Sequence, residues 1–227
     1  MVRARAVFFD VDFTLIHPGP RFQGTGYAAS CARHGVRADA ARFEAAVAGA
    51  SGLLDSADQL YNDDLFINYT RRIIELMGGE GPAVDLVARE LYAQWAEHHH
   101  FDLYADVEPA LRALHAGGYR LGLISNSHRC LDSFQSHFEL QGLITATVSS
   151  SEHGWMKPHP SIFEAALAQV GVPAGESVMV GDSLAHDVAG AMRAGMRGVL
   201  LARGAAPADA GVPVIRTLTE LPGLLER

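Results

Sequence analysis

The sequence has only two cysteines in 227 residues, Cys31 and Cys130. They are too few for a disulfide framework and too isolated for a thiolate metal site, so both are read as reduced thiols and small core residues. No apolar stretch approaches the roughly 18 residues that span a bilayer. The basic start MVRARAVFFDVD meets two aspartates before a sustained apolar leader segment forms, so the expected location is cytoplasmic, with no membrane partner. Cationic excess is lacking as well. The 18 Lys plus Arg stand against 26 Asp plus Glu for a net charge of -8, which repels a phosphate backbone and argues against nucleic acid as a partner. No repeat recurs at a fixed period, and 23 Gly with 10 Pro are too few for a disordered or collagen-like chain. What remains is 48% hydrophobic and 19% charged residues, a globular composition with length enough for a sizeable core.

Ala6 to Phe9 is a short apolar run ending in Asp10, followed by a polar, turn-rich stretch from Asp12 to Pro20. The same shape recurs at Leu121 to Ile124, Ile144 to Val148, Val178 to Val180 and Gly198 to Leu201. These five runs lack polar alternation, as strands buried on both faces do. Amphipathic segments lie between the later ones: His128 to Leu140, Ser161 to Val170 after Pro160, and His186 to Ala194 closing at Gly195. Val107 to His115 leads into the second run. The spacing predicts an α/β fold, a Rossmann-like parallel sheet with helices on both faces.

About 110 residues separate the first two strands, where an ordinary crossover unit needs about 30. An α-helical appendage is therefore expected at residues 17–100, with the core at 1–16 and 101–227. Leu65, Tyr69, Ile73 and Leu76 share one helical face there, and Val84, Val87, Leu91 and Trp95 share another. Gly204 to Pro213 reads as a surface loop. His98, His99 and His100 diverge by about 100 degrees each on a helix. With no carboxylate or cysteine at ligand spacing, they read as a solvated helix end or a hinge.

Ligands of an open parallel sheet bind at the carboxyl ends of its strands, near the reversal of strand order. Those ends carry Asp10 and Asp12, Ser125 and Asn126, Lys157, and Asp182 with Asp187. Carboxylates from two strand ends suit Mg2+, which keeps several waters and takes a substrate phosphate. Ser125 and Lys157 supply donors to phosphate oxygens.

With DVDFTL (Asp10 to Leu15), LISNS (Leu123 to Ser127), KPHP (Lys157 to Pro160) and GDSLAHD (Gly181 to Asp187) in order, the chain resembles the haloacid dehalogenase superfamily, in its phosphatase-type form with an inserted helical cap. The resemblance implies that Asp10 is the nucleophile of an aspartyl-phosphate and that Asp12 protonates the leaving oxygen and later activates water. By the same carry-over, Ser125, Asn126 and Lys157 bind the phosphoryl group, and Asp10, Asp182 and the backbone carbonyl of Asp12 ligate Mg2+. Asp187 is implied behind them, orienting Lys157 or a water on the metal. Its alternative is an acid complementing a helix dipole. Asp12 separates the chain from the true dehalogenases, whose pattern lacks it. Phe13 is a departure, standing where the family's commonest motif has Gly.

The reaction implied is Mg2+-dependent hydrolysis of a small phosphorylated metabolite by a monomer or homodimer, with the cap reading the leaving group. A sugar phosphomutase shares the four motifs, and a phosphorylated signalling or binding module is the non-enzymatic alternative. Length and the insertion argue against a bare receiver domain.

Overall fold

The computed structural model describes residues 3–54, 60–204 and 209–226. Its strands are β1 (Ala6–Phe9), β2 (Ile16–Pro18), β3 (Phe101–Leu103), β4 (Arg120–Ser125), β5 (Ile144–Ser149), β6 (Ser177–Gly181), β7 (Arg197–Leu201) and β8 (Val214–Ile215). Six of them form one sheet in the order β5-β4-β1-β6-β7-β8, and every pairing in it is parallel. β8 lies beyond the five expected strands. Its two residues pair with Leu200 and Leu201, too short a run to show in the sequence. The surface loop expected over Gly204–Pro213 includes residues 205–208, which lie outside the described residues.

The chain divides into two compact units, Met1–His17 with Ala57–Leu60 and Leu103–Arg227, and Pro18–Ser56 with Tyr61–Asp102. The second unit is helical. It contains α1 (Gly24–Arg33), α2 (Phe43–Ala50), α3 (Asp63–Leu76) and α4 (Ala83–Gln94). α3 begins where Asn62 accepts from the Asp64 N–H, with Asp63 and Asp64 in its first turn, a cap and a charge that both favour a helix N-terminus. Ile67, Thr70, Ile73 and Ile74 form its buried stripe. That stripe is rotated from the expected face, on which only Ile73 is buried while Leu65, Tyr69 and Leu76 are half-buried. On α4, Val84, Val87 and Leu91 are buried as expected of a core face, with Ala88 beside them.

The first unit adds α5 (Val107–Ala116), α6 (Leu131–His137), α7 (Ser150–His153), α8 (Pro160–Val170), α9 (Ala189–Arg193) and α10 (Leu221–Leu225). All four residues of β1 are fully buried, the signature of a central strand covered on both faces. Ala6 and Phe8 join one core cluster with Ile124, Ile162, Phe163, Met179 and Ala191. By strand alternation Val7 and Phe9 enter the opposite layer. Strand order reverses around β1, because the chain runs from β1 out to β4 and β5 and then returns to place β6 on the other side. The carboxyl ends of β1, β4 and β6 therefore meet where a ligand site belongs in this architecture.

Candidate active site

Asp10 follows β1 directly, and its N–H bonds to the Val180 carbonyl at 3.0 Å. The chain then turns tightly, with the Leu15 and Ile16 N–H groups both bonding to the Val11 carbonyl. The turn places Phe13 at φ 64, a left-handed conformation that costs a residue with a Cβ roughly 1–2 kcal/mol. Glycine at this position would escape that cost, so the departure seen in the sequence is a strained one. Thr14 fastens the turn to the end of β6. Its Oγ1 accepts the Asp182 N–H at 3.1 Å and donates to Asp182 Oδ1 at 3.4 Å.

Lys157 enters from the loop before α8 and is buried. Its ammonium donates to Asp10 Oδ1 at 2.6 Å and to the Ile124 carbonyl at 2.8 Å, and it pairs with Asp187 Oδ1 at 2.7 Å. Burial alone would lower its pKa, but the two carboxylates win and hold it above the ordinary lysine range. The Asn126 side chain clamps this loop, donating to the Lys157 carbonyl at 2.9 Å and accepting the Lys157 N–H at 2.7 Å. The Asn126 amide therefore positions Lys157. Ser125, at the end of β4, is fully buried with its hydroxyl 3.0 Å from that of Ser127.

Asp187 lies on a wide helical turn after β6, in which the Val188 N–H reaches back five residues to the Ser183 carbonyl at 3.2 Å. Its Oδ2 accepts the Ser183 N–H at 3.0 Å. A Cβ on Gly181 would collide with this carboxylate, which is why the residue before Asp182 must be glycine.

Asp10, Asp182 and Asp187 each bring a carboxylate oxygen within 4.8 Å of the others. Burial pushes Asp10 up to about 6, with Asp187 adding to the rise and Lys157 opposing it. Burial, then the charges of Asp10 and Asp187, push Asp182 up to about 8. Crowded hard oxygen donors whose charges repel are what a small divalent cation relieves, so the residues fit Mg2+. Asp187 Oδ2 is taken by the Ser183 N–H and its Oδ1 faces the Lys157 ammonium as an ion pair, and the resemblance implies Asp10 and Asp182 as the side-chain ligands.

The Asp12 carboxylate turns to a residue the sequence reading missed. Arg129 is buried, and its Nη2 donates to Asp12 Oδ1 at 3.0 Å. Burial raises the Asp12 pKa and outweighs Arg129, which lowers it. If Asp12 is the acid and base that the resemblance implies, replacing Arg129 with Met is expected to slow alkyl phosphate turnover by about 10- to 100-fold, by loosening a group whose proton transfer would be worth about 10²- to 10⁴-fold. Arg129→Lys should recover part of that loss. Steady-state rates of both variants on one alkyl and one aryl phosphate check it, the aryl ester being the less affected.

Two expectations outside the site need correcting. Cys31 is buried, but Cys130 is exposed because it precedes α6 in a surface turn. The three histidines do have a carboxylate beside them: Glu97 lies 3.5 Å from His99 Nε2 and 3.2 Å from His100 Nε2. The turn of the chain at His98–His100, rather than helical spacing, brings these side chains together.

A family model described as haloacid dehalogenase-like hydrolase matches residues 4–195. Haloacid dehalogenase-like hydrolase domain-containing protein 3 of Danio rerio is 29% identical over 99% of this chain and 98% of its own length. A glyceraldehyde 3-phosphate phosphatase of Methanopyrus kandleri is 32% identical over 88% of this chain and 84% of its own. Among solved structures, a phosphatase of the same superfamily from Thermococcus onnurineus superposes with a TM-score of 0.69 at 28% identity, covering 97% of each chain.

Proposed function

The chain belongs to the haloacid dehalogenase-like hydrolase family as a phosphatase-type enzyme, and from that premise we propose that it hydrolyses a small phosphorylated metabolite through an aspartyl-phosphate on Asp10, with Mg2+ as its metal. One observation carries the reading: a buried ammonium, Lys157, sits 2.6 Å from a carboxylate at the end of the central strand, and a second carboxylate follows two residues on, tethered to its own cation at 3.0 Å. The glyceraldehyde 3-phosphate named for the Methanopyrus kandleri relative is a substrate of the proposed size.

Asp10 would attack phosphorus, forming an acyl-phosphate bond as the bond to the ester oxygen breaks. Asp12 gives its proton to that leaving oxygen, so the alcohol departs neutral. The Asp12 carboxylate then takes a proton from water, whose oxygen bonds to phosphorus and returns Asp10 with release of phosphate. Lys157 and Ser125 hold the phosphoryl oxygens, and Lys157 offsets their charge beside Asp10. Asp187 keeps Lys157 aimed. When bound by Asp10, Asp182 and the Asp12 carbonyl, Mg2+ supplies positive charge that draws the anionic phosphoryl group toward an anionic nucleophile. All seven site residues lie in the first unit. We assign choice of leaving group to the helical second unit, the cap of the sequence reading.

The test is release of inorganic phosphate from a panel of sugar, glycerol and nucleoside phosphates and phosphoglycolate, with product analysis. Free phosphate supports the proposal, an isomeric sugar phosphate indicates a mutase, and no turnover with Mg2+ present refutes both. Asp12→Asn refines it. With an aryl phosphate, whose phenolate leaves without a proton, this variant should release one equivalent of phenol in a burst and then stall, because nothing deprotonates the water. Rapid-quench kinetics check this, and sustained wild-type turnover would remove Asp12 from the acid-base role.

A further inference from the structure

The turn that brings Glu97, His99 and His100 together lies wholly in the second unit, between α4 and β3. One ligand atom of each residue lies within 4.8 Å of the others. Glu97 Oε2 faces two ring nitrogens at once, His99 Nε2 at 3.5 Å and His100 Nε2 at 3.2 Å. Bonds of about 2.0–2.1 Å in a tetrahedral zinc site set the ligand atoms about 3.3 Å apart, so these separations are ones that a single ion would impose. The backbone fixes the turn. The His100 N–H bonds to the Glu97 carbonyl at 3.2 Å, and the His100 carbonyl accepts the Gly19 N–H at 2.8 Å. The Phe22 ring, packed against Trp95 and Phe101, meets the His100 ring edge-on with 5.6 Å between centroids. His100 is thereby held in place, while Glu97 and His99 are exposed and can close on an ion.

We propose that Glu97, His99 and His100 form a second metal site, for a transition-metal cation of the Zn2+ type, with the fourth position left to water. One such cation offsets the carboxylate and takes both imidazoles as neutral ligands. Imidazole nitrogen suits Zn2+, whereas the cluster of Asp10 and Asp182 offers only hard oxygen and suits Mg2+. Donor type therefore divides the cations between the two sites. They share no residue, and the ion held by Glu97, His99 and His100 clips the turn that leads into β3.

Calorimetric titration of the protein without an affinity tag, with Mg2+ in excess over Zn2+, should show uptake of one equivalent of Zn2+. His99→Ala and His100→Ala should each weaken that uptake by at least the roughly 10- to 100-fold that loss of a partner merely orienting a ligand costs a metal site. Glu97→Gln, which keeps an oxygen in place but removes its charge, should weaken it as well. His99 is exposed, so its variant should unfold in EDTA at the wild-type temperature. Asp182→Ala, which disables the acidic cluster, and His115→Ala, which removes an exposed histidine of α5, should leave the uptake unchanged. Co2+ in place of Zn2+ should give the strong visible absorption of a four-coordinate centre, lost in His99→Ala. Failure of the wild-type protein to take up Zn2+, uptake that survives both histidine substitutions, or uptake lost in Asp182→Ala overturns the site and leaves the phosphatase reading untouched.

Discussion

Asp10→Asn is expected to lower phosphate release from every monoester by on the order of 10⁴- to 10⁶-fold, the scale of losing a covalent nucleophile. The amide keeps the shape of the carboxylate but has no charge with which to attack phosphorus. The fold should tolerate it. Lys157 retains Asp187 at 2.7 Å and the Ile124 carbonyl at 2.8 Å, and one of three crowded carboxylates is gone. The charge of Asp10 is the largest cause after burial of the high Asp182 pKa, so Asp182 should titrate lower in the variant. Phosphate release, thermal unfolding and transfer of labelled phosphate to the protein together check this. Residual turnover within tenfold of wild type, or labelling of the variant at the wild-type level, would show that another group is the nucleophile.

Removing divalent metal should abolish turnover, and restoring Mg2+ should stabilise the protein most at alkaline pH. The sign follows from two carboxyls held at about 6 and about 8 against an ordinary value of 3.8. Folded, they keep protons that the unfolded chain has already released, so the metal-free protein loses stability as pH rises through that window. Mg2+ binds the ionised forms and competes with protons, so its contribution grows over the same range. At a hundredfold excess over Kd it should reach about 2.7 kcal/mol. Melting curves with EDTA or Mg2+ at about pH 5 and about pH 8 test it. Metal-free stability that climbs between those values, or a gain from Mg2+ that is no larger at the higher one, would contradict the ligand set. Full activity of Asp182→Ala would do the same.

The central strands were legible because they are buried on both faces: β1, β4 and β6 show as apolar runs ending in Asp, Ser or Gly, while β5, at the sheet edge, and β7 show as shorter apolar runs. Other elements left weaker traces. α1 and α2 are built largely from Ala, Gly and Ser with few large apolar residues, so no stripe marks them, and β8 has two residues. On α3 two apolar faces compete, and packing against α2 and α4 selected Ile67 and Ile74 over Leu65 and Tyr69. Arg129 carried no signal, since its partner Asp12 is 117 positions away and a lone arginine at the start of the expected His128 to Leu140 segment reads as solvated. Asn126 was found, but whether its amide faces a ligand or the Lys157 backbone depends on how the loops meet. Sequence shows which polar groups end the strands, while their pairing is a property of the assembled sheet.

The split of the first unit also governs the order in which the protein can be made. β1 emerges from the ribosome first, yet its partners begin at Arg120 and Ser177. At about 5–20 residues per second, the fully apolar Ala6–Phe9 segment waits roughly 6 to 20 s for β4 and longer for β6. The four helices described in the second unit are synthesised in that interval, and α2, α3 and α4 pack on one another, so they can consolidate while β1 is still unpaired. The nascent chain should thus carry an ordered helical body and a sticky N-terminal strand together. That strand is the segment most in need of a chaperone until residues 177–181 arrive to close the sheet around it.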